Sequence, residues 1–341
     1  MLSETFTFEK LLEAHKKCRR SKQHKSDTIS FEINLSTNLI NLSKNILNNT
    51  YKVGKYKQFY VYEPKARKIE ALSYRDRLVL MAFCTNIIEP KVEKRLIYDN
   101  VACRKGKGTM FGIDRLHKFL RDFYNKYRTN EGYCLKCDIK KYFQNIDHNI
   151  LKQYLIKAGL DNEDMQMIQK ILDSRYAAEQ VGLPIGNQTS QWFGLFYLNV
   201  VDRYIKEKLR VKYYVRYMDD MILIHKDKEF LKKCRQEIES IVKEKLNLEL
   251  NSKTQICRLK DGIDFLGFRH ITESGKIITL LRGSSKIRLK HKLRKLRKLK
   301  DKNLVDHEFV NTRLRCYNAF MCHANTKKLY YLLKKKQHFT E

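Results

Sequence analysis

The sequence predicts an α+β fold in which an antiparallel sheet is covered by helices on one side. Three observations lead there. Short apolar runs over residues 132–139 and 213–224 are bounded by polar turns, as strands are. Amphipathic stretches surround them in the order strand, helix, strand, strand, helix, which is not the strict alternation of a parallel α/β sheet. With 13 glycines and only 3 prolines in 341 residues, long disordered linkers are not expected, so the chain reads as closely packed subdomains.

Taken in order, residues 1–50 read as a helix, a polar basic loop over 19–25, and a second helical stretch through Leu35, Leu39, Leu42 and Ile46. Over 51–71 the pattern turns to short strands, and two β-rich runs flank Pro64-Lys65-Ala66-Arg67, a hairpin with basic residues at its tip. A helix follows over 74–90. The glycine-punctuated basic loop 104–109 opens an amphipathic helix through Ile113, Leu116 and Leu120. Beyond the strand at 132–139, residues 149–171 cover two helices. A glycine-proline loop (182–186) leads into a helix over about 190–208. The hairpin 213–224 and a helix over 229–246 come next, then short strands to about 281. Leu289, Leu293 and Leu296 line one face of a helix whose other face is basic. The expected units are an N-terminal helical extension (1–50), then 51–131, 132–270 and 271–341.

Charge narrows the partner class. Against 38 Asp and Glu stand 70 Lys and Arg, a formal net charge of +32, which suits a polyanion such as nucleic acid. No run approaches the roughly 18 apolar residues of a membrane span, and the first residues lack a secretory pattern, so a cytoplasmic protein without a membrane partner is expected. The 9 cysteines are scattered and read as reduced thiols. Cys134 and Cys137 have C-x-x-C spacing, but no second pair follows, and buried thiols of a strand fit better than a zinc site. Cys316, Cys322 and His323 form a weaker cluster, read as one face of a late helix.

Two motifs carry chemistry. Tyr217-Met218-Asp219-Asp220 sets adjacent carboxylates between apolar strands, where an ordinary turn would carry Asn-Gly or Asp-Gly. Asp138 ends the apolar strand before Ile139-Lys140-Lys141-Tyr142-Phe143. Carboxylates from two strands brought together can hold two divalent ions, roughly 4 Å apart, for phosphoryl transfer. Lys65 and Arg67 suit a triphosphate, Arg by a bidentate fork and Lys by point charge.

With these residues the chain resembles reverse transcriptases over nearly its whole length, from Tyr51 to the basic tail. The resemblance implies a right-hand fold of fingers, palm with antiparallel sheet, and helical thumb, acting as an RNA-directed DNA polymerase. It implies Asp138, Asp219 and, less centrally, Asp220 as catalytic metal ligands, with the Ile139 carbonyl beside them and two Mg²⁺ ions, which Mn²⁺ can replace. Phe143 matches the bulky gate that excludes a ribose 2′-hydroxyl, and Arg67 matches the family's fingers arginine. Gly182-Leu183-Pro184-Ile185-Gly186-Asn187-Gln188-Thr189-Ser190-Gln191 has Ile185 where Gln is usual and Gln191 where Pro is usual. That pattern is similar to diversity-generating retroelement enzymes, which copy a template RNA with errors opposite adenine; Ile185, Gly186 and Gln191 would then lie by the incoming dNTP.

Further carry-overs are Lys253 as a general acid toward pyrophosphate and Phe265-Leu266-Gly267-Phe268 as the primer grip. Lys105 and Lys107 would contact the template backbone. Lys286, Arg288, Lys290, Lys292, Arg294, Lys295 and Arg297 would track an RNA/DNA hybrid. About forty residues follow the basic run, too few for an RNase H or endonuclease domain. The resemblance implies as partners template RNA, dNTPs and a small basic oligomeric accessory protein, in a bacterial or phage-encoded system. The alternatives are a phage-defence-associated or retron-like reverse transcriptase, an RNA polymerase, and an inactive nucleic-acid binder.

Overall fold

In the computed structural model, which describes residues 2–63, 65–176, 178–336 and 339, the strands form three antiparallel sheets. The first is a hairpin of β1 (Lys57–Val61) and β2 (Arg67–Ala71). The second contains β3 (Tyr133–Cys137), β4 (Tyr213–Tyr217), β5 (Asp220–His225) and β6 (Gln255–Arg258), ordered β4-β5-β3-β6. The third is a meander of β7 (Ile263–Phe265), β8 (Phe268–Glu273) and β9 (Lys276–Leu281). The hairpin at 51–71 forms as its β-rich runs require; Pro64 of its turn lies outside the described residues.

The four-stranded sheet is covered on both faces, not one. Leu135, Cys137, Tyr214, Met221 and Leu223 point into the main core, shared with the helices Gln188–Tyr197 and Lys228–Leu246. The alternate residues Cys134, Tyr213, Val215, Ile222 and Ile224 pack under Leu116, Phe119, Leu120 and Phe123 of the helix Thr109–Tyr127. The cause is in the strands themselves. Met221-Ile222-Leu223-Ile224 is apolar at every position, the mark of a strand buried on both sides rather than one. The same alternation sends Cys134 and Cys137, three residues apart, to opposite faces and into different cores. They cannot share a metal ion, and all nine cysteines are free thiols, with Cys316 and Cys322 exposed.

Several helices are broken where sequence periodicity read them as continuous. The stretch 74–90 is the helix Tyr74–Phe83, a π-helical turn Cys84–Ile88 and a short helix Glu89–Val92. The wider turn takes up the register change, and Pro90 falls in the first turn of the last segment, where its missing N–H costs little. Residues 190–208 likewise form Gln188–Tyr197, Asn199–Arg203 and a π-helical turn Tyr204–Lys208, with the break at Leu198. At the N-terminus four helices appear, Leu2–Thr5, Phe8–Cys18, Ser26–Ile33 and Leu35–Leu47, the last two divided at Asn34. The C-terminal helices Gly283–Asp301, His307–Met321 and Lys327–Lys335 bury Leu289, Leu293 and Leu296 against Val310, Leu314 and Tyr330, as the leucine spacing requires. Among the described residues no helix is long and apolar enough to cross a membrane.

Candidate active site

β4 and β5 are joined by only Met218 and Asp219, because Tyr217 and Asp220 already pair. So short a link needs left-handed backbone, and Met218 supplies it at φ 54°, a conformation unfavourable for a residue with a side chain. The guanidinium of Arg216 holds the turn by donating to the Met218 carbonyl at 2.8 Å. Arg216 is itself fully buried and paired with Asp202, its Nη2 2.5 Å from Oδ2.

Asp138 stands one step beyond Cys137, the last β3 residue paired with β5, opposite Met221. That register sets it across from Asp220. With Lys136 they share the sheet face buried further along under the helix Thr109–Tyr127, so the carboxylates sit where that cover ends. The backbone of the 248–254 segment laces Asp138 in place: Asn251 N donates to its carbonyl at 2.7 Å and Lys140 N to the Glu249 carbonyl at 2.9 Å. Ile139 is buried and bridges to Leu250.

The electrostatics are those of crowded anions. Burial first, then the charge of Asp138, pushes the Asp219 carboxyl up to about 6, and the charge of Arg67 opposes the rise. Burial likewise raises Asp220, offset by Lys136. Lys136 Nζ donates to Asp220 Oδ2 at 3.1 Å and to the Asp264 carbonyl at 2.7 Å. Asp220 Oδ1 is buried and lies 3.1 Å from the same ammonium, so both oxygens of the carboxylate face Lys136. With Asp220 drawn toward Lys136, no three His, Cys, Asp or Glu side chains among the described residues converge into a complete ion cage. The donors at this end of the sheet are the Asp138, Asp219 and Asp220 carboxylates, all hard oxygens suited to a divalent cation.

Around this centre, Phe143 is half-buried and lies against Gly194, where a Cβ would stand 3.1 Å from its ring. Its carbonyl accepts from Leu183 N at 2.7 Å, joining the Phe143 turn to the 182–191 loop. Glu70 N of β2 donates to the Ile185 carbonyl at 3.0 Å. Gly186 has φ 141°, and a Cβ there would lie 2.7 Å from the Glu70 carbonyl, so glycine is required. Ile185 is half-buried and Gln191 exposed. Lys65 and Arg67 are exposed at the hairpin end, and only Arg67 is near enough to act on Asp219. Lys253 is exposed, its N–H tied to Asn251 Oδ1.

Leu266 and Gly267 form the tight turn between β7 and β8, at φ 51° and 90°, flanked by buried Phe265 and Phe268. Ser285 and Arg282, at the start of the basic helix, donate to the Gly267 carbonyl. Lys105 is exposed, but Lys107 is engaged, donating to the Tyr98 carbonyl at 2.5 Å and lying over the Tyr98 and Phe111 rings. On the basic helix Lys290, Arg294 and Lys295 are exposed and Lys286 and Arg288 half-buried. Three of its cations have internal partners: Lys292 with Glu63 of the hairpin at 2.9 Å, Arg297 with Asp301 at 2.7 Å, and Arg288 with the Ser285 hydroxyl at 2.9 Å. Missed by sequence reasoning were Lys136, Arg216 and Asp202. The signal was available, because a charge inside an apolar strand needs a buried partner.

Residues 62–270 match the family model described as reverse transcriptase (RNA-dependent DNA polymerase). No curated protein sequence matches the chain. Among solved structures it is similar to telomerase from Candida albicans in complex with a TWJ fragment of telomeric RNA, with TM-score 0.52, 13% identity, and 74% of this chain and 52% of that chain covered. It is also similar to apo telomerase from Candida tropicalis truncated from its C-terminal domain, with TM-score 0.52, 15% identity, and 71% and 60% covered. The chain thus spans between half and three fifths of the length of these structures. At such identity the likeness speaks for the fold, a right-hand polymerase fold with an antiparallel palm sheet.

Proposed function

This chain belongs to the reverse transcriptase family, and on that premise we propose that it extends a primer with deoxynucleotides on an RNA template. The observation that carries the reading is the meeting of Asp138, just past β3, and Asp219, in the β4–β5 turn, at a half-buried end of the sheet. Their mutual repulsion and their hard-oxygen donors fit a divalent cation, and Asp138, Asp219 and the Ile139 carbonyl, with Asp220 beside them, would hold Mg²⁺ or Mn²⁺. When bound, such ions activate the attacking hydroxyl and neutralise developing charge in phosphoryl transfer. The chain's own residues bind and orient. Arg67 offers the triphosphate a cation facing Asp219, Phe143 crowds the sugar, and the Phe265–Phe268 turn seats the primer end. The exposed cations of the basic helix bear on the hybrid backbone, with Lys105 on the template and Lys253 near departing pyrophosphate.

Primer extension by Asp219→Asn tests the reading. Incorporation should disappear while hybrid affinity changes less than threefold; retained synthesis with Mg²⁺ would reject the assignment.

The finer reading is the error-prone enzyme of a diversity-generating retroelement, working with a structured template RNA and a small basic accessory protein. Its support is Ile185, whose loop is bonded to β2 and to the Phe143 turn, and Gln191 in the first turn of the helix that follows. An apolar residue in place of an amide removes a hydrogen bond available for base selection, and about 1.4 kcal/mol changes an error rate tenfold. Sequenced cDNA should carry errors concentrated opposite template adenine, partly corrected in Ile185→Gln. Uniformly low error with partners present favours the defence-type enzyme instead.

A further inference from the structure

We propose that Arg216, held by Asp202, is a positioning residue that couples the floor of the nucleotide pocket to the catalytic turn. The inference rests on the polymerase reading above and extends it to a residue outside the reacting groups.

Arg216 sits on β4 with its side chain on the main-core face, beside Tyr214. Its side chain and that of Asp202 are both fully buried. A buried ion pair is costly to desolvate and adds little net stability over apolar packing, so stability alone is a weak reason for it. What it holds is more informative. Nε and Nη2 engage the two Asp202 oxygens at 2.7 and 2.5 Å, and the Tyr214 hydroxyl donates to Oδ1 at 2.6 Å, fixing the carboxylate. The guanidinium, so locked, donates in two further directions. Nη2 reaches the Leu195 carbonyl at 2.9 Å and Nη1 reaches the Met218 carbonyl at 2.8 Å.

These two carbonyls belong to different parts of the site. Leu195 lies on the helix Gln188–Tyr197, which begins just after Gly186, carries Gln191, and meets Phe143 at Gly194. The same helix is tied to the Phe143 turn by the Tyr142 hydroxyl, which donates to the Gly194 carbonyl at 2.5 Å. Met218 immediately precedes Asp219 and is held in left-handed backbone. One rigid planar group therefore spans from the helix under Phe143 to the strained residue that aims Asp219. A shift of that helix when a nucleotide with the wrong sugar or base presses on Phe143 is transmitted to the turn. Lysine has a single donor point and cannot span the three acceptor groups at fixed angles.

Two variants test this. Arg216→Lys keeps the charge beside Asp202. The triple variant Arg216→Met, Asp202→Leu, Tyr214→Phe replaces the pair with apolar packing, a change that proteins often tolerate. In each variant that melts within about 5 °C of wild type, kcat for the correct dNTP should fall at least tenfold, with its KM within threefold. The decisive readout is discrimination. kcat for a ribonucleotide or mismatched dNTP should fall much less, so selectivity narrows at least threefold. Equal losses for all nucleotides, or a kcat within twofold of wild type, overturn the coupling. Failure of both variants to fold also overturns it, leaving the pair a core element only. Wild-type protein that incorporates nothing rejects the polymerase reading itself, and the coupling with it.

Discussion

At the scale of single residues, Asp138, Asp219 and Asp220 stand out in the sequence as candidates because carboxylates sit at the ends of apolar strands. Phe143 is harder to read, since an aromatic after a strand serves a core equally well. Its ring is half-buried and rests on Gly194, so it is not sealed in the core. Phe143→Ala should therefore lower dNTP-over-NTP discrimination by a factor of ten or more, about 1.4 kcal/mol of differential transition-state binding. Steady-state incorporation of both nucleotide types measures it, and unchanged discrimination returns Phe143 to the core. Lys136 and the Arg216–Asp202 pair escaped sequence reasoning for a physical reason. Their partners lie 84 and 14 residues away, and only the folded sheet brings them within reach.

At the scale of elements, strands and leucine-lined helices were visible because their periods persist over several turns. The π-helical turns at Cys84–Ile88 and Tyr204–Lys208 were not, because one extra residue per turn barely disturbs an apolar pattern. The loop 182–191 could be seen as a loop, but its hydrogen bond to β2 could not. That bond explains Gly186, where both the backbone angle and the Glu70 carbonyl exclude a side chain. Gly186→Ala should cost about 1–3 kcal/mol in chemical denaturation, the range for strained backbone. Gly283→Ala is the control: at the first residue of a helix with nothing within 4 Å, it should be neutral or stabilising. Equal effects of the two would mean that the loop yields freely.

For the whole molecule, the sheet's two-sided burial was readable in Met221–Ile224 but was outweighed by the polar flanks, and the long-range joints were invisible. One of these joints is His117 of the helix Thr109–Tyr127 against His270 of β8, 2.9 Å apart, with Thr279 hydrogen-bonded to both. Burial, then the charge of His117, drives His270 down to about 4, partly offset by the Phe265 carbonyl. Burial also lowers His117, where Arg121 and Asp114 act in opposite senses, and burial lowers His15 in the N-terminal helices. Neutral imidazoles in the fold and protonation near pH 6.5 in the unfolded chain fix the sign. The histidine contribution to stability is level above about pH 6.5 and is lost as pH falls from there toward about 4, while Asp219, raised to about 6, acts in the opposite sense over the lower part of that range. His270 alone should remove about 2 kcal/mol from pH 6.5 to 5, and His270→Gln should flatten the slope in denaturation curves. A slope unchanged by the substitution would mean that His270 does not govern it. The contact between Glu63 and Lys292 has a consequence of another kind. It joins the tip of an early hairpin to a helix more than two hundred residues later, tying together two parts of the chain that are remote in sequence. Both partners are largely solvated, and such a pair contributes only about 0–1 kcal/mol and weakens with salt. The hold of the hairpin on the helix therefore loosens as ionic strength rises.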